Sequence, residues 1–153
     1  MTTLMSIRIL SALTVLILGS TTSFAATPKR VVDSHAELKA KQEALAPEIS
    51  LQDLRALVEN KNKKPMAIID ANGEKSYLEG HIPGALHFAK IETNLSAALP
   101  TDKGALVVAY CGSPMCTAWE DAATKVKALG YTNVKHLKAG IKGWKDAKYP
   151  TQG

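Results

Sequence analysis

The sequence predicts an α/β fold in which a parallel sheet is covered by helices on both faces. Short apolar runs alternate along the chain with longer stretches whose apolar residues recur at helical spacing. Three runs are predicted to be strands: 66–70, 106–110 and 134–137. Parallel strands need long crossover connections, and the alternation of strand and helix supplies them. We therefore expect a single domain with one sheet.

The first 25 residues have the composition of a secretory signal. Arg8 provides the positive charge, residues 9–18 form the apolar core, and residues 23–25 read small-x-small, as at a cleavage site. A membrane span needs about 20 apolar residues, so a cleaved signal is favoured over an uncleaved anchor. We expect residues 1–25 to be removed and the protein to be exported to the periplasm, with no stable membrane span after cleavage.

A polar, lysine-rich leader over residues 26–47 precedes the predicted domain, which spans 48–150. Ser34 and Glu37 have the spacing of a capping box for a short helix that ends before Pro47. We expect the leader to pack on the domain edge or to fray, and we assign it no chemistry.

Apolar spacing and turn residues predict the other elements in order. Ser50 begins a helix, 71–80 is polar and turn-rich, and 81–88 is a turn followed by a brief extended piece. Further helices are predicted over 92–99, over 117–129 with Gly130 as its stop, and after residue 139.

Composition excludes several classes of function. The net charge of +5 comes from scattered lysines and not from an arginine-rich stripe with interleaved aromatic residues, so no nucleic-acid interface is predicted. Two cysteines are too few for a disulfide-stabilised scaffold. Together with four separated histidines they lack a zinc spacing, so we expect no metal and no organic cofactor.

Cys111 is the strongest candidate for a catalytic nucleophile. It follows the strand 106–110 and precedes the helical stretch 117–129, so its thiol is placed where a strand ends and a helix begins. A helix N-terminus carries about half a positive charge and unpaired N–H groups, which favour a thiolate and an anionic substrate. The competing interpretation is a buried, inert core cysteine.

Three segments of the chain resemble the rhodanese family of single-domain sulfurtransferases. They are 68–85, which contains Gly-His-Ile-Pro-Gly-Ala, 107–113 and 128–150. The resemblance implies an enzyme in which Cys111 accepts a sulfane sulfur from thiosulfate or polysulfide and passes it on through a persulfide. It implies two partners: a small sulfur-containing anion as donor, and a thiol, cyanide or protein as acceptor.

The resemblance also implies a cradle of backbone N–H groups that point at the persulfide, with the Ser113 and Thr117 hydroxyls as further donors. The residues expected to bind substrate there are Gly112, Ser113, Met115, Cys116 and Thr117. The six residues from Cys111 to Cys116 favour sulfur chemistry, because related phosphatases and arsenate reductases use a loop one residue longer.

Four positions depart from the family pattern. Asn72 and Ser76 stand where arginine and glutamate are common, Pro114 replaces a glycine and removes an N–H, and Cys116 stands where an arginine is frequent. Without that arginine, the loop lacks a bidentate contact for an anion. Lysines on neighbouring loops are expected to compensate: Lys90, Lys138 and Lys142.

Cys116 leaves alternatives to sulfur transfer open. As a resolving thiol, it would close a labile disulfide with Cys111, which suits a thiol–disulfide redox or sensing protein. As a small apolar filler, it would have no chemistry. A third hypothesis is a non-catalytic sulfur carrier or partner-binding module that keeps its partner without Cys111.

Four other residues receive structural or auxiliary roles. Asp70 is predicted either to order the active-site loops or to cap a turn at its strand end. His81 is expected to shape a turn, and Trp144 to anchor the core. Trp119 is expected either to line the pocket mouth or to pack in the core.

Overall fold

The computed structural model describes residues 34–60 and 64–153, which belong to one compact unit. The predicted signal segment, 1–25, lies outside the described residues. Within the described ranges, every helix is too short or too polar to cross a bilayer.

Four parallel strands form the sheet in the order β2-β1-β3-β4. They are β1 (Met66–Asp70), β2 (Ala85–His87), β3 (Leu106–Tyr110) and β4 (Val134–Leu137). Asp70 pairs in register with His87 on one side and with Tyr110 on the other, so these strands end together at one edge. The predicted parallel sheet and the three predicted strands are confirmed.

Seven helices connect and cover the strands in the part of the chain that the structure describes. They are α1 (Ser34–Leu45), α2 (Leu51–Glu59), α3 (Glu74–Leu78), α4 (Phe88–Ile91), α5 (Leu95–Ala98), α6 (Trp119–Ala128) and α7 (Gly140–Asp146). Alternate residues of a strand point to opposite faces of a sheet, so β3 contributes to two apolar layers. Val107 and Ala109 pack with α6 on one face, while Val108 and Tyr110 pack with α2 and α7 on the other.

The helix predicted in the leader forms and packs against the domain. Gln42 Nε2 on α1 donates to Glu120 Oε1 on α6 at 2.7 Å, and Ala46 after the helix is fully buried. Of the two expectations for the leader, packing on the domain edge therefore holds for residues 34–46.

Helices α3 and α6 depart from the sequence prediction. Coil is predicted over 71–80, but the structure places α3 there, in a segment too short for apolar periodicity to show. The Tyr77 hydroxyl of this helix donates to the Ala85 carbonyl of β2 at 2.9 Å, so a contact outside the helix holds it in place. The helix predicted over 117–129 begins later, at Trp119, because residues 111–118 form the loop after β3.

The helix predicted over 92–99 begins earlier, at Phe88, and is divided into pieces. A 3₁₀ turn at Glu92–Asn94 separates α4 from α5, and Asn94 leaves the helical region with φ −135° and ψ 42°. Phe88 and Leu95 are both buried, so each piece presents its own apolar side chain to the core.

Candidate active site

The carboxyl ends of the three adjoining strands bring polar side chains to one edge of the sheet. Asp70 ends β1, His87 ends β2, and Cys111 directly follows β3. All three are buried, and Cys111 is only 1% exposed. Parallel α/β proteins bind ligands at this edge, so the predicted nucleophile has the position expected for catalysis.

The loop from Cys111 to Thr117 contains both cysteines of the chain. Their sulfur atoms form a disulfide, with a Cα–Cα distance of 6.2 Å that lies within the normal range for such bridges. Cys116 is partly exposed, whereas Cys111 is buried. The structure therefore shows the oxidised form of the cysteine pair, with Cys116 as its more exposed residue.

The predicted cradle donors of this loop differ in their backbone hydrogen bonds. The Cys116 N–H donates to the Ser113 carbonyl at 3.0 Å and closes a turn. The other four N–H groups make no backbone hydrogen bond in the part of the chain that the structure describes; they belong to Gly112, Ser113, Met115 and Thr117. Pro114 has no N–H to contribute. Four of the five predicted donors therefore make no backbone hydrogen bond to a described residue.

The back of the loop is anchored to the start of α7. The Cys111 carbonyl accepts from Ile141 N at 2.9 Å, and the Gly112 carbonyl accepts from Lys142 N at 3.0 Å. A Cβ on Gly140 would lie 2.5 Å from the Cys111 carbonyl oxygen, and φ at Gly140 is +61°. Only glycine fits this close approach in a left-handed conformation.

Asp70 organises two segments through its two carboxylate oxygens. Oδ1 accepts from the backbone N and the side-chain Nδ2 of Asn72, at 2.8 and 2.7 Å. Oδ2 accepts from the Tyr110 hydroxyl at 2.6 Å, and that hydroxyl accepts from Ile82 N at 3.1 Å. The carboxylate thus caps the turn after β1, which is the second of the two roles predicted for it, and links that turn to β3.

Tyr110 is a neutral donor in this network. Burial raises the pKa of its phenol well above the usual range, and the adjacent Asp70 carboxylate raises it further. Tyr110 is fully buried and directly precedes Cys111. Its hydrogen bonds therefore hold the backbone from which the predicted nucleophile extends.

Asn72 and His87 form the side of the site next to Gly112. The Asn72 Oδ1 atom lies 3.4 Å from the position that a Cβ on Gly112 would take. His87 Nε2 lies 2.9 Å from the Asn72 carbonyl, so Nε2 carries the proton. His87 Nδ1 is buried and has no hydrogen-bond partner among the described residues.

The three candidate lysines differ in their availability. Lys90 pairs with Glu74 at 2.9 Å, a contact that lowers the pKa of the Glu74 carboxyl, and Lys142 pairs with Asp146 at 2.6 Å. Lys138 makes no ion pair with any residue that the structure describes. Its charge is therefore the least compensated of the three among the described residues.

The remaining predicted residues have structural roles. Trp119 is 4% exposed and stacks on His136 at 4.0 Å, so the core alternative holds and the pocket-mouth alternative does not. His81 Nδ1 hydrogen-bonds the Tyr77 carbonyl at 2.9 Å within its turn. Trp144 is fully buried, as predicted. The described residues contain no group of three or more side chains suited to a metal ion.

The sequence prediction missed Tyr110, His87 and Gly140 as parts of this site. Tyr110 resembles any aromatic residue of a strand, and His87 any polar residue at a strand end. Gly140 lies within a segment identified by resemblance, and a glycine at the start of the last predicted helix was the available signal.

The chain is similar to one known family and to several solved structures. The rhodanese-like domain family matches residues 50–147, which is more than half of the chain. No curated protein sequence matches the chain. A crystal structure of a protein from Bacillus halodurans is 25% identical with a TM-score of 0.61, over 79% of this chain and 87% of that chain.

Two other solved structures share the fold at lower identity. A Rhodopseudomonas palustris protein described as a possible tyrosine phosphatase is 20% identical with a TM-score of 0.58, over 82% of this chain and 99% of that one. A thiosulfate sulfurtransferase from Pseudomonas aeruginosa is 20% identical with a TM-score of 0.59, over 75% of this chain and 22% of that one. At this identity the likeness shows the fold alone. Together with the match over residues 50–147, it establishes that the chain belongs to the rhodanese-like domain family.

Proposed function

We propose that the protein is a sulfurtransferase that carries sulfane sulfur as a persulfide on Cys111. The observation that carries the proposal is the position of Cys111 at the end of β3, directly before a loop in which four backbone N–H groups make no backbone hydrogen bond to any described residue. Such groups lower the pKa of a thiol and stabilise negative charge that develops on sulfur. Membership of the rhodanese-like family supports the same chemistry.

With thiosulfate as donor, the Cys111 thiolate attacks the outer sulfur. A new S–S bond forms at Cys111, the S–S bond of thiosulfate breaks, and sulfite leaves with the bonding electron pair. A thiolate or cyanide then attacks the outer sulfur of the persulfide, and the Cys111 thiolate is released. The Gly112, Ser113, Met115 and Thr117 N–H groups balance the charge on the persulfide.

This reaction requires the reduced form of the cysteine pair. An external thiolate reopens the bridge by attacking one sulfur, and the partly exposed Cys116 is more accessible than the buried Cys111. The bond between the two sulfurs breaks, Cys116 is left in a mixed disulfide, and Cys111 leaves as a thiolate. Thiols that act as sulfur acceptors can therefore also activate the enzyme.

A second candidate function is favoured by the disulfide itself. If Cys116 attacks the inner sulfur of the Cys111 persulfide, the Cys111–Cys116 bridge forms and hydrosulfide leaves. The same two cysteines can instead cycle between dithiol and disulfide without carrying a sulfane sulfur. The protein would then act in thiol–disulfide redox chemistry or in redox sensing. Both routes require both cysteines, whereas transfer to an external acceptor requires only Cys111.

Intact mass spectrometry separates these functions. The protein is reduced, freed of reductant and incubated with thiosulfate or polysulfide, alongside the Cys111→Ala and Cys116→Ser variants. We expect a gain of one sulfur in wild type and in Cys116→Ser, and no gain in Cys111→Ala. A loss of two hydrogens in wild type, with no sulfur gained in wild type or in Cys116→Ser, establishes the redox function and overturns sulfur transfer.

We also infer export to the periplasm, on the basis of the signal-like composition of residues 1–25. Expression of the full chain in a Gram-negative host, followed by fractionation and intact mass, tests this inference. A cytoplasmic product that keeps residues 1–25 would contradict it.

A further inference from the structure

His87 is a buried side chain that the proposed sulfur chemistry does not use. It ends β2 beside Asp70 and is 5% exposed. Its Nε2 donates to the Asn72 carbonyl at 2.9 Å, whereas its Nδ1 is buried and has no hydrogen-bond partner among the described residues. A buried polar atom without a partner costs free energy, so an apolar side chain would serve packing better. The Nε2 contact is therefore what the imidazole supplies.

The turn after β1 depends on this contact. No backbone N–H of the described residues donates to the Asn72 carbonyl. Asp70 Oδ1 accepts from N and Nδ2 of Asn72, so Asp70 fixes the amide side chain and His87 fixes the peptide group that follows it. Because the chain has Asn72 and Ser76 where arginine and glutamate are common, no ion pair between these two positions holds the turn.

Asn72 in turn borders the first residue after Cys111. The Asn72 Oδ1 atom lies 3.4 Å from the position that a Cβ on Gly112 would take. The Gly112 carbonyl accepts from Lys142 N at 3.0 Å, and the Gly112 N–H makes no backbone hydrogen bond to a described residue. Glycine has wide backbone freedom, so the direction of this N–H depends on the groups that pack against Gly112.

Tyr77 fixes the plane of the His87 ring. The two rings pack with 4.9 Å between their centroids and an angle of 33°, and Tyr77 also stacks on His81 at 3.8 Å. The Tyr77 hydroxyl donates to the Ala85 carbonyl, so the tyrosine is itself held in place. His81 belongs to the same stack, but its Nδ1 hydrogen-bonds the Tyr77 carbonyl and not Asn72.

We propose that His87 is a positioning residue for Cys111 and that it acts through Asn72. The Nε2–H group holds the Asn72 peptide, the Asn72 side chain confines Gly112, and Gly112 presents its N–H to the Cys111 sulfur. A hydrogen bond to the charged form of a thiol stabilises the thiolate. This inference rests on the proposed function, in which Cys111 is the nucleophile.

The ultraviolet absorbance of the thiolate as a function of pH tests this role without any sulfur donor. All proteins carry Cys116→Ser, so that Cys111 is the single thiol, and the same protein with Cys111→Ala gives the blank. His87→Leu is expected to raise the midpoint of the titration by about one pH unit, the effect of one lost hydrogen bond to a charged group.

Two amide variants separate the Nε2 donor from the ring. The glutamine amide reaches the place of Nε2, whereas the shorter asparagine amide reaches only the place of Nδ1. We therefore expect His87→Gln to restore the wild-type midpoint and His87→Asn to resemble His87→Leu. His81→Leu is the matched control: it breaks the same aromatic stack and is expected to lower the stability but to leave the midpoint unchanged.

Asn72→Ala tests the same route from a partly exposed turn, and so does not depend on whether the buried His87 variants fold. It is expected to raise the midpoint as much as His87→Leu, and the double variant is expected to raise it no further. An unchanged midpoint in Asn72→Ala, equal midpoints for His87→Gln and His87→Leu, or an equal shift in His81→Leu would each overturn the proposal.

Sulfur gain from thiosulfate separates this inference from the proposed function. At a pH below the midpoint, His87→Leu is expected to lower kcat about tenfold with KM unchanged, because one pH unit is a tenfold change in the thiolate fraction. If the midpoints shift as expected but wild type gains no sulfur, the proposed function fails and the positioning role remains. If wild type gains sulfur and His87→Leu changes neither midpoint nor kcat, sulfur transfer stands and the positioning role is overturned.

Discussion

The two ends of the sheet differ in the volume of the adjoining cavity and in the reactive side chains near it. At the amino end, a cavity of about 610 Å³ lies beside Met66 and Leu106, the first residues of β1 and β3. At the carboxyl end, a cleft of about 180 Å³ adjoins the loop that follows Cys111. The described residues that line the larger cavity include neither cysteine nor histidine, so cavity size does not locate the reactive group here.

Chain direction explains this difference. In a parallel sheet all strands end at the same edge, where the following turns expose N–H groups and helices begin. Asp70, His87 and Cys111 share this edge for that reason, and the amino end receives the turns that enter the strands. Chemistry that depends on a nucleophile and an anion site is therefore expected at one end only.

The largest expected effect is the loss of the nucleophile. Cys111→Ala is expected to lower the rate of persulfide formation by at least about a thousandfold, because the proposed function places the transferred sulfur on the Cys111 thiolate. Asn133→Ala, in the large cavity at the amino end, is the control and is expected to leave the rate unchanged. The measurement is sulfur gain by intact mass over time. A rate lost equally in both variants would contradict the assignment of chemistry to the carboxyl end.

Two glycines with positive φ sharpen the comparison through stability. Gly140, at the carboxyl end, has no room for a Cβ against the Cys111 carbonyl, so Gly140→Ala is expected to cost about 4 kcal/mol of unfolding free energy. Gly130 lies before β4, with φ +89° and open space where a Cβ would be. Gly130→Ala is therefore expected to lower the free energy of unfolding by only ~1–2 kcal/mol, the cost of a left-handed conformation for alanine.

Urea denaturation of both glycine variants measures this difference. Persulfide formation in the fraction that remains folded is expected to fall only in Gly140→Ala, because α7 then moves away from the loop. Equal losses of unfolding free energy for the two substitutions would show that the close contact between Gly140 and the Cys111 carbonyl adds nothing to the cost of the left-handed conformation.

Tyr110 provides a pH-dependent test of the network behind the nucleophile. Tyr110→Phe leaves Asp70 Oδ2 and Ile82 N without their partner and is expected to cost about 2–3 kcal/mol. The folded pKa of Tyr110 is raised above the value of 10.0 for an unfolded chain, so its contribution is complete below pH 10 and is lost as pH rises beyond it.

The stability of wild type is therefore expected to fall above pH 10 by about 1.4 kcal/mol per pH unit more than that of Tyr110→Phe. Thermal unfolding in buffers from about pH 8 to about pH 11.5 measures both slopes. Parallel slopes for the two proteins would show that another group is responsible for alkaline unfolding.

The smallest expected effect belongs to the amino end. Asp102 borders the large cavity, and its Oδ1 accepts from Gly104 N at 2.8 Å in an exposed turn. Asp102→Ala is expected to lower the free energy of unfolding by about 1 kcal/mol and to leave sulfur gain unchanged. Chemical denaturation and the mass assay check the two parts separately. A loss of sulfur gain here would break the distinction between the two ends.

Local signals in the amino-acid sequence were enough to predict three of the strands, the main helices and the position of Cys111 at a strand end. Apolar runs at 66–70, 106–110 and 134–137 and the cap at Ser50 each depend on residues within a few positions of one another. A cysteine directly after a buried strand and before a helix is equally local. For this reason the sequence is sufficient to identify Cys111 as the candidate nucleophile.

The surroundings of that cysteine depend on tertiary contacts. The Asp70–Tyr110 hydrogen bond joins residues 40 positions apart, and the contact of α1 with α6 joins residues 78 positions apart. Tertiary packing also leaves no room for a Cβ at Gly140. It likewise leaves Lys138 without an ion pair among the described residues. Contacts between distant residues are made when the elements pack, and no spacing within the sequence encodes which side chains will meet.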